Sequence, residues 1–170
     1  MFSPALWQLT YCSTSASRLH DLRKDVDDIL REARIFNRQN RIQGVLFYGN
    51  HFFLQCLQGN RADLEMLYDK LQKDHRHIQL KLLESRAVET PLFDQWHMKY
   101  VVLEPKIQEL LSRWQMQLFM PYDLSETQLA ELLSLFSVVR DAVDTSRAPP
   151  PKTGRILKAL QWVSRQLNQP

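Results

Sequence analysis

Three hydrogen-bonding side chains stand where the surrounding pattern calls for apolar ones. Along the stretch His51 to Gln58 alternate residues share a strand face, so Phe53, Gln55 and Leu57 point one way. Gln55 is thus a carboxamide flanked by apolar side chains. In the stretch ending at Cys12, Trp7, Leu9 and Tyr11 share a face, which places a phenol at its end. Asn37 lies one helical turn beyond Ala33, on the stripe that faces the sheet. Left unpaired in an apolar layer, each group would cost about 1–3 kcal/mol. Singly, each has an ordinary explanation, since a buried tyrosine finds a carbonyl and a late-helix asparagine often caps. Together they could line a pocket for a flat molecule with several donors and acceptors. The chemistry open to the set is hydrogen bonding, with the phenol a donor and the amide both donor and acceptor.

The elements that must position these groups follow from periodicity. Gln8 to Cys12, preceded by Ala5-Leu6-Trp7, reads as a strand, and Ser13 to Ser17 supplies loop and helix-capping residues. From about Leu19 to Asn37 the residues Leu22, Val26, Ile29, Leu30 and Ala33 recur at helical spacing. Arg41 to Tyr48 and His51 to Gln58 form a hairpin about a tight Gly49-Asn50 turn. Asn60 caps a helix carrying Leu64, Leu67, Tyr68 and Leu71, which Asp74 to His77 closes. Two more strands are expected near Gln79 to Ala87 and Trp96 to Leu103. The order β-α-β-β-α-β-β predicts an α+β fold: a ferredoxin-like, five-stranded mixed sheet with two helices on one face, followed by C-terminal helices.

The final third is helical. Ile107, Leu110, Leu111 and Trp114 form one stripe that ends at Pro121, and Ser125-x-x-Gln128 is a capping box ahead of Leu129, Leu132, Leu133 and Phe136. Pro149-Pro150-Pro151 is a stiff linker before a short amphipathic helix carrying Ile156, Leu157, Leu160, Val163 and Leu167. The expected organisation is an α+β domain over 1–103, a helical extension over 104–145, and a linker with its helix over 146–170.

Bulk properties narrow the class. The chain has 170 residues, 44% hydrophobic and 24% charged, as in ordinary globular proteins. Its net charge of +3 gives no case for nucleic acid. Cys12 and Cys56 lie in apolar strand runs as buried thiols. No signal peptide opens the chain and no apolar run approaches the ~20 residues of a membrane span, so no membrane and a cytoplasmic location are expected.

Five pieces in order carry a family resemblance. They are Leu9-Thr10-Tyr11-Cys12-Ser13, Asn37 through Ile42-Gln43-Gly44-Val45-Leu46, Phe53-Leu54-Gln55-Cys56-Leu57-Gln58-Gly59, Asp74-His75-Arg76-His77 and Phe93-Asp94-Gln95-Trp96-His97-Met98. From about Leu6 to Val102 the sequence resembles BLUF (blue light using flavin) domains, and the helices beyond resemble the short members of that family. The resemblance implies one non-covalent flavin, FAD in preference to FMN. It implies that Tyr11 is the photochemical donor, that Gln55 sits between Tyr11 and the flavin, and that Asn37 bonds the flavin's pyrimidine edge. Arg76 and His77 would lie along the same groove. Trp96 and Met98 would be strand residues that respond to light, sharing one face by the period-two rule. The sequence departs from the family at Gln43, Gln58 and Pro91, where Thr, Glu and Arg are usual.

The implied function is a blue-light photoreceptor, not an enzyme, that signals through an unknown protein effector and forms a homo-oligomer. The alternative is an interaction module of the same fold with little dependence on flavin. Two rivals rest on shorter signals. Ile42-Gln43-Gly44-Val45-Leu46-Phe47 resembles the acylphosphatase motif, but Tyr48 stands where those enzymes hold phosphate with arginine. His75, His77 and His97 suggest a metal site, with poor spacing for closed zinc coordination and no cysteine to join it; no metal is expected.

Overall fold

Period-two alternation sorts the strand residues onto two faces, and both faces are covered. The computed structural model describes residues 6–93 and 96–142. The first seven elements are β1 (Leu6–Ser15), α1 (Leu22–Gln39), β2 (Gln43–Gly49), β3 (Phe52–Gly59), α2 (Arg61–Leu71), β4 (His77–Val88) and β5 (Lys99–Val102). Then come α3 (Pro105–Arg113), a single 3-10 turn at Pro121–Asp123, and α4 (Glu126–Val138). The strands lie in the order β4-β1-β3-β2-β5. All neighbours are antiparallel except β2 and β5, which are parallel. This is the ferredoxin-like mixed sheet.

On one face Leu9, Tyr11, Leu46, Phe53 and Leu57 pack against Leu22, Val26, Ile29 and Leu30 of α1 and Leu64 of α2. On the other, Cys12, Val45, Phe47, Leu54, Cys56 and Val101 pack against Ile107, Leu110 and Leu111 of α3 and Leu129, Leu132, Leu133 and Phe136 of α4. The helices after β5 therefore close the second face of the sheet. Removing apolar surface from water on both sides, at about 25 cal/mol per Å², is what holds the layers together.

Local chemistry sets the boundaries. Asn60 caps α2 by accepting from the Ala62 amide at 2.9 Å, and Ser125 and Gln128 form the expected capping box at α4. The other boundaries correct the sequence reading. The Ser13–Ser17 stretch does not cap α1: β1 continues through Ser15 and Asp21 precedes the helix without a side-chain bond. Leu19 is exposed and lies outside the helix. The hairpin turns on Asn50 and His51, with φ of 50° and 68°, because Gly49 still pairs with Phe52. Gly49 serves another purpose, since a Cβ there would meet the Phe47 ring at 2.9 Å. Helix α3 stops at Arg113, well before Pro121, which opens the 3-10 turn instead. The triple proline and the helix expected after it lie outside the described residues.

Candidate functional site

The β1–β3 register places Tyr11 directly opposite Gln55. Directly paired residues project to the same side, so the phenol and the carboxamide meet without help from any loop. The Tyr11 hydroxyl donates to Gln55 Oε1, and Gln55 Nε2 donates to Met98 Sδ at 3.4 Å. Tyr11 is wholly buried. Burial drives its pKa far above the ordinary phenol value, with the negative charge of Asp74 and the neighbouring Tyr68 adding to the effect. The group is therefore a neutral donor across the physiological range. Its ring meets Tyr68 edge-on at 6.0 Å and His77 at 6.2 Å between centroids.

Beside Gln55 a cleft of about 410 Å³ opens between α1 and α2, with Ala33, Asn37, Gln55, Leu71, Arg76 and His77 in its walls. That volume lies in the usual range for small-molecule sites. Two of its side chains carry buried polar atoms without a partner, Asn37 Oδ1 and His77 Nε2. Their other polar atoms are held. Asn37 Nδ2 donates to the His97 carbonyl at 2.5 Å, and His77 Nδ1 lies 2.8 Å from Ser13 Oγ. Each ring or amide is thus oriented by the protein while presenting its free atom. A buried polar atom costs about 1–3 kcal/mol when left unpaired, so these atoms mark where a ligand's polar edge belongs.

The cleft's charged wall is an ion-pair cluster. Arg76 binds Asp74 at 2.6 Å and Glu32 of α1 at 2.6 Å, tying the loop after α2 to α1. Hydrogen bonds to Asp74 hold the Arg76 guanidinium more firmly protonated. Burial works to raise the Asp74 carboxyl, but bonds from Arg76 outweigh it and the net shift is downward. His77 is pushed down to about 4, chiefly by burial, with Asp74 opposing and Arg76 adding.

The His77 shift predicts acid lability. The unfolded chain takes a proton near pH 6.5 and the folded chain only near 4, so the stability contributed is complete above 6.5. It is lost as pH falls between those values, by about 3 kcal/mol in all. Urea melts at pH 7.5 and 4.5 should show this loss, and His77→Gln should remove most of the slope over that window. An equal slope in the variant would assign the lability elsewhere.

Comparison with known proteins decides the family. The BLUF family model, sensors of blue-light using FAD, matches residues 6–99. The chain belongs to the BLUF family. Among curated relatives, the beta subunit of photoactivated adenylate cyclase from Euglena gracilis is 31% identical over 94 residues, 55% of this chain and 11% of that protein. The alpha subunit from the same organism is 30% identical over the same length, and 9% of it is covered. The chain thus spans about a tenth of the length of the curated relatives it matches. Among solved structures, BlsA in its photo-activated state shares 34% identity with a TM-score of 0.77, over 80% of this chain and 97% of BlsA. BlrB, described as a BLUF protein in its dark state, shares 26% identity with a TM-score of 0.66, over 81% of this chain and all of that one.

BLUF domains use FAD as chromophore, and the cleft fits a flavin ring. A flavin's pyrimidine edge carries an N–H between two carbonyls, and Asn37 Oδ1 is a fixed, unpaired acceptor for such an N–H. His77 Nε2 and the Gln55 amide supply further polar contacts along the walls. Of the residues expected from sequence, Asn37, Gln55, Arg76 and His77 line the cleft, Tyr11 lies one hydrogen bond behind it, and Met98 touches Gln55.

Trp96 does not join them. Strand β5 starts only at Lys99, so Trp96 and Met98 precede it and do not share a strand face. Met98 is buried in the core on the Tyr11 side, whereas Trp96 packs on the opposite core under α3 and α4. The Lys99 ammonium lies 3.9 Å from its ring. Leu92 and Trp96 are tied to strands β3 and β2 by bonds outside the regular ladder. The Gln58 side chain accepts from the Leu92 amide at 2.7 Å, and the Gly44 amide reaches the Trp96 carbonyl at 3.0 Å. Gln58, a departure from the family's usual residue, is thus an anchor for Leu92 and Phe93. Among the described residues no three His, Cys, Asp or Glu side chains gather as metal ligands, and His75, His77 and His97 form no such group.

Proposed function

We propose that this chain is a blue-light receptor whose switch is the Tyr11–Gln55 hydrogen bond at the end of an FAD-binding cleft. The observation that carries the reading is the conjunction of that bond with two oriented, unpaired polar atoms in the same cleft. Excited oxidised flavin supplies a strong one-electron oxidant. Tyr11 supplies the electron, becomes strongly acidic, and passes its proton along the bond to Gln55 Oε1. When charge recombines and the proton returns, the carboxamide settles in a second arrangement. By resemblance to the family, that arrangement would let the Gln55 amide donate a new hydrogen bond to bound flavin, and absorption would shift to the red. Met98 Sδ, now the acceptor for Gln55 Nε2, exchanges or loses this partner as the amide moves.

Changing hydrogen bonds in a low-dielectric site supplies a few kcal/mol, and allosteric couplings need about 1–3. The output is protein association rather than catalysis, with residues 1–103 as sensor and the helices of 104–145 as the coupled surface. A protein effector and a second copy of the chain are the partners of this reading, FAD is the chromophore over FMN, and the setting is cytoplasmic. Among the described residues no helix is long and apolar enough to cross a membrane.

The test is direct. Chain purified with added FAD should be yellow, and blue light should shift its spectrum reversibly to longer wavelength. Protein that takes up no flavin, or holds it with no photoshift, would end the reading.

A further inference from the structure

We propose that Arg34 is the positioning residue that ties Met98, and through it Gln55, to the chain leaving the sheet at Asp141. The inference rests on the photoreceptor reading and adds the route from the switch to the C-terminal segment. Arg34 lies on α1, and its Nε donates to the Met98 carbonyl at 3.1 Å. Met98 is the residue whose sulfur accepts from the switching amide at 3.4 Å. The other end of the same guanidinium reaches Asp141 Oδ2 at 3.5 Å.

Asp141 in turn grips the last strand, since its Oδ1 accepts from the Tyr100 amide at 3.2 Å. One residue further on, the Ala142 amide donates to the Tyr100 carbonyl at 2.7 Å. The segment after α4 is therefore laid along the outer edge of β5, and Arg34 binds both that segment and the residue before the strand. The Lys99 ammonium holds the last turn of α4 by donating to the Ser137 carbonyl at 3.2 Å. These contacts make one connected body of Met98, β5 and residues 137–142.

A guanidinium suits the task because its rigid fork holds two acceptors in one plane. An ammonium holds a point, so lysine at position 34 would keep the charge and lose the double grip. A change in the Gln55 amide alters what Met98 Sδ accepts, and a shift of the Met98 backbone moves the carbonyl that Arg34 holds. The displacement reaches Asp141 through one rigid group.

The experiment uses the full chain loaded with FAD, comparing wild type, Arg34→Gln, Arg34→Lys, Asp141→Asn and the Arg34→Gln/Asp141→Asn double variant. All variants should keep the photoshift, because Tyr11 and Gln55 are intact. Arg34→Gln and Asp141→Asn should each change the rate of dark recovery by about three- to ten-fold, in the same direction. Arg34→Lys should resemble Arg34→Gln. The double variant should lie within about two-fold of the larger single effect, since both remove one link. Hydrogen exchange supplies a second readout: the Ala142 amide should differ between dark and lit wild type and lose that difference in Arg34→Gln. A wild-type photoshift accompanied by unchanged recovery in Asp141→Asn, or by rate effects that multiply in the double variant, would overturn this inference alone. A wild type without any photoshift would overturn the receptor reading beneath it as well.

Discussion

Tyr11→Phe should bind FAD and show no detectable shift of its spectrum in blue light. The two side chains have the same ring, so packing against Tyr68 and His77 is kept, and the cleft loses none of its lining. What disappears is the hydroxyl that donates to Gln55 Oε1. A phenyl ring has neither an easily lost electron nor a proton to follow it. The fold should also weaken by about 1–3 kcal/mol, because the Gln55 carbonyl is left buried without its donor. Absorption spectra before and after illumination check the first effect, and thermal melts in the dark check the second. A variant that holds flavin and retains the photoshift would remove Tyr11 from the mechanism, whatever its stability.

The spectral and thermal effects separate two roles of one atom. Stability registers only that an acceptor has lost its donor, which any buried hydrogen bond would do. The photoshift registers that this donor can be oxidised. Its pKa, raised by burial, keeps the proton on the phenol in the dark protein.

This site was legible in the sequence because a pairing of strands settles it. Period two put Tyr11 with Leu9, and Gln55 with Phe53 and Leu57, and the register needed only to bring the two faces together. Asn37 was legible for a similar reason, one turn past Ala33 on an apolar stripe. Trp96 was misplaced because the same rule was carried into a segment that is not yet a strand. The stretch before Lys99 is shaped by tertiary bonds from Gln58 and Gly44, and no local pattern announces them. No local pattern marks Arg34, since its partners lie 64 residues and more away. The two-residue turn slipped by one position because glycine suggested φ > 0, whereas Gly49 is small to make room for Phe47.

Val45, Phe47, Leu54 and Cys56 alternate with the residues that face α1 and α2, so the strands are apolar on both sides. Strands of that kind require two covered faces. The amphipathic helices that follow are the cover, which makes them part of the folding unit.

Phe47→Ala should therefore destabilise the whole chain by about 3–5 kcal/mol, although residue 47 faces away from the cleft. Phe47 is fully buried, stacked on Phe136 of α4 at 5.0 Å and edge-on to Phe119 at 4.8 Å. Truncation leaves a ring-sized void between sheet and helices that close-packed neighbours cannot fill. For a chain of this length the loss corresponds to a fall in Tm of roughly 6–20 °C. Domains have about 5–15 kcal/mol to lose, so the variant should be folded yet fragile. Phe136→Ala should cost a similar amount, and the double variant less than the sum, since both rings line one contact. Helices that merely trail from a self-sufficient sensor would give a different result: a loss under about 1 kcal/mol at Phe136, with the transition of the sensor unchanged. The melting curves thus decide whether α3 and α4 are appended to the sheet or form the second half of a shared core.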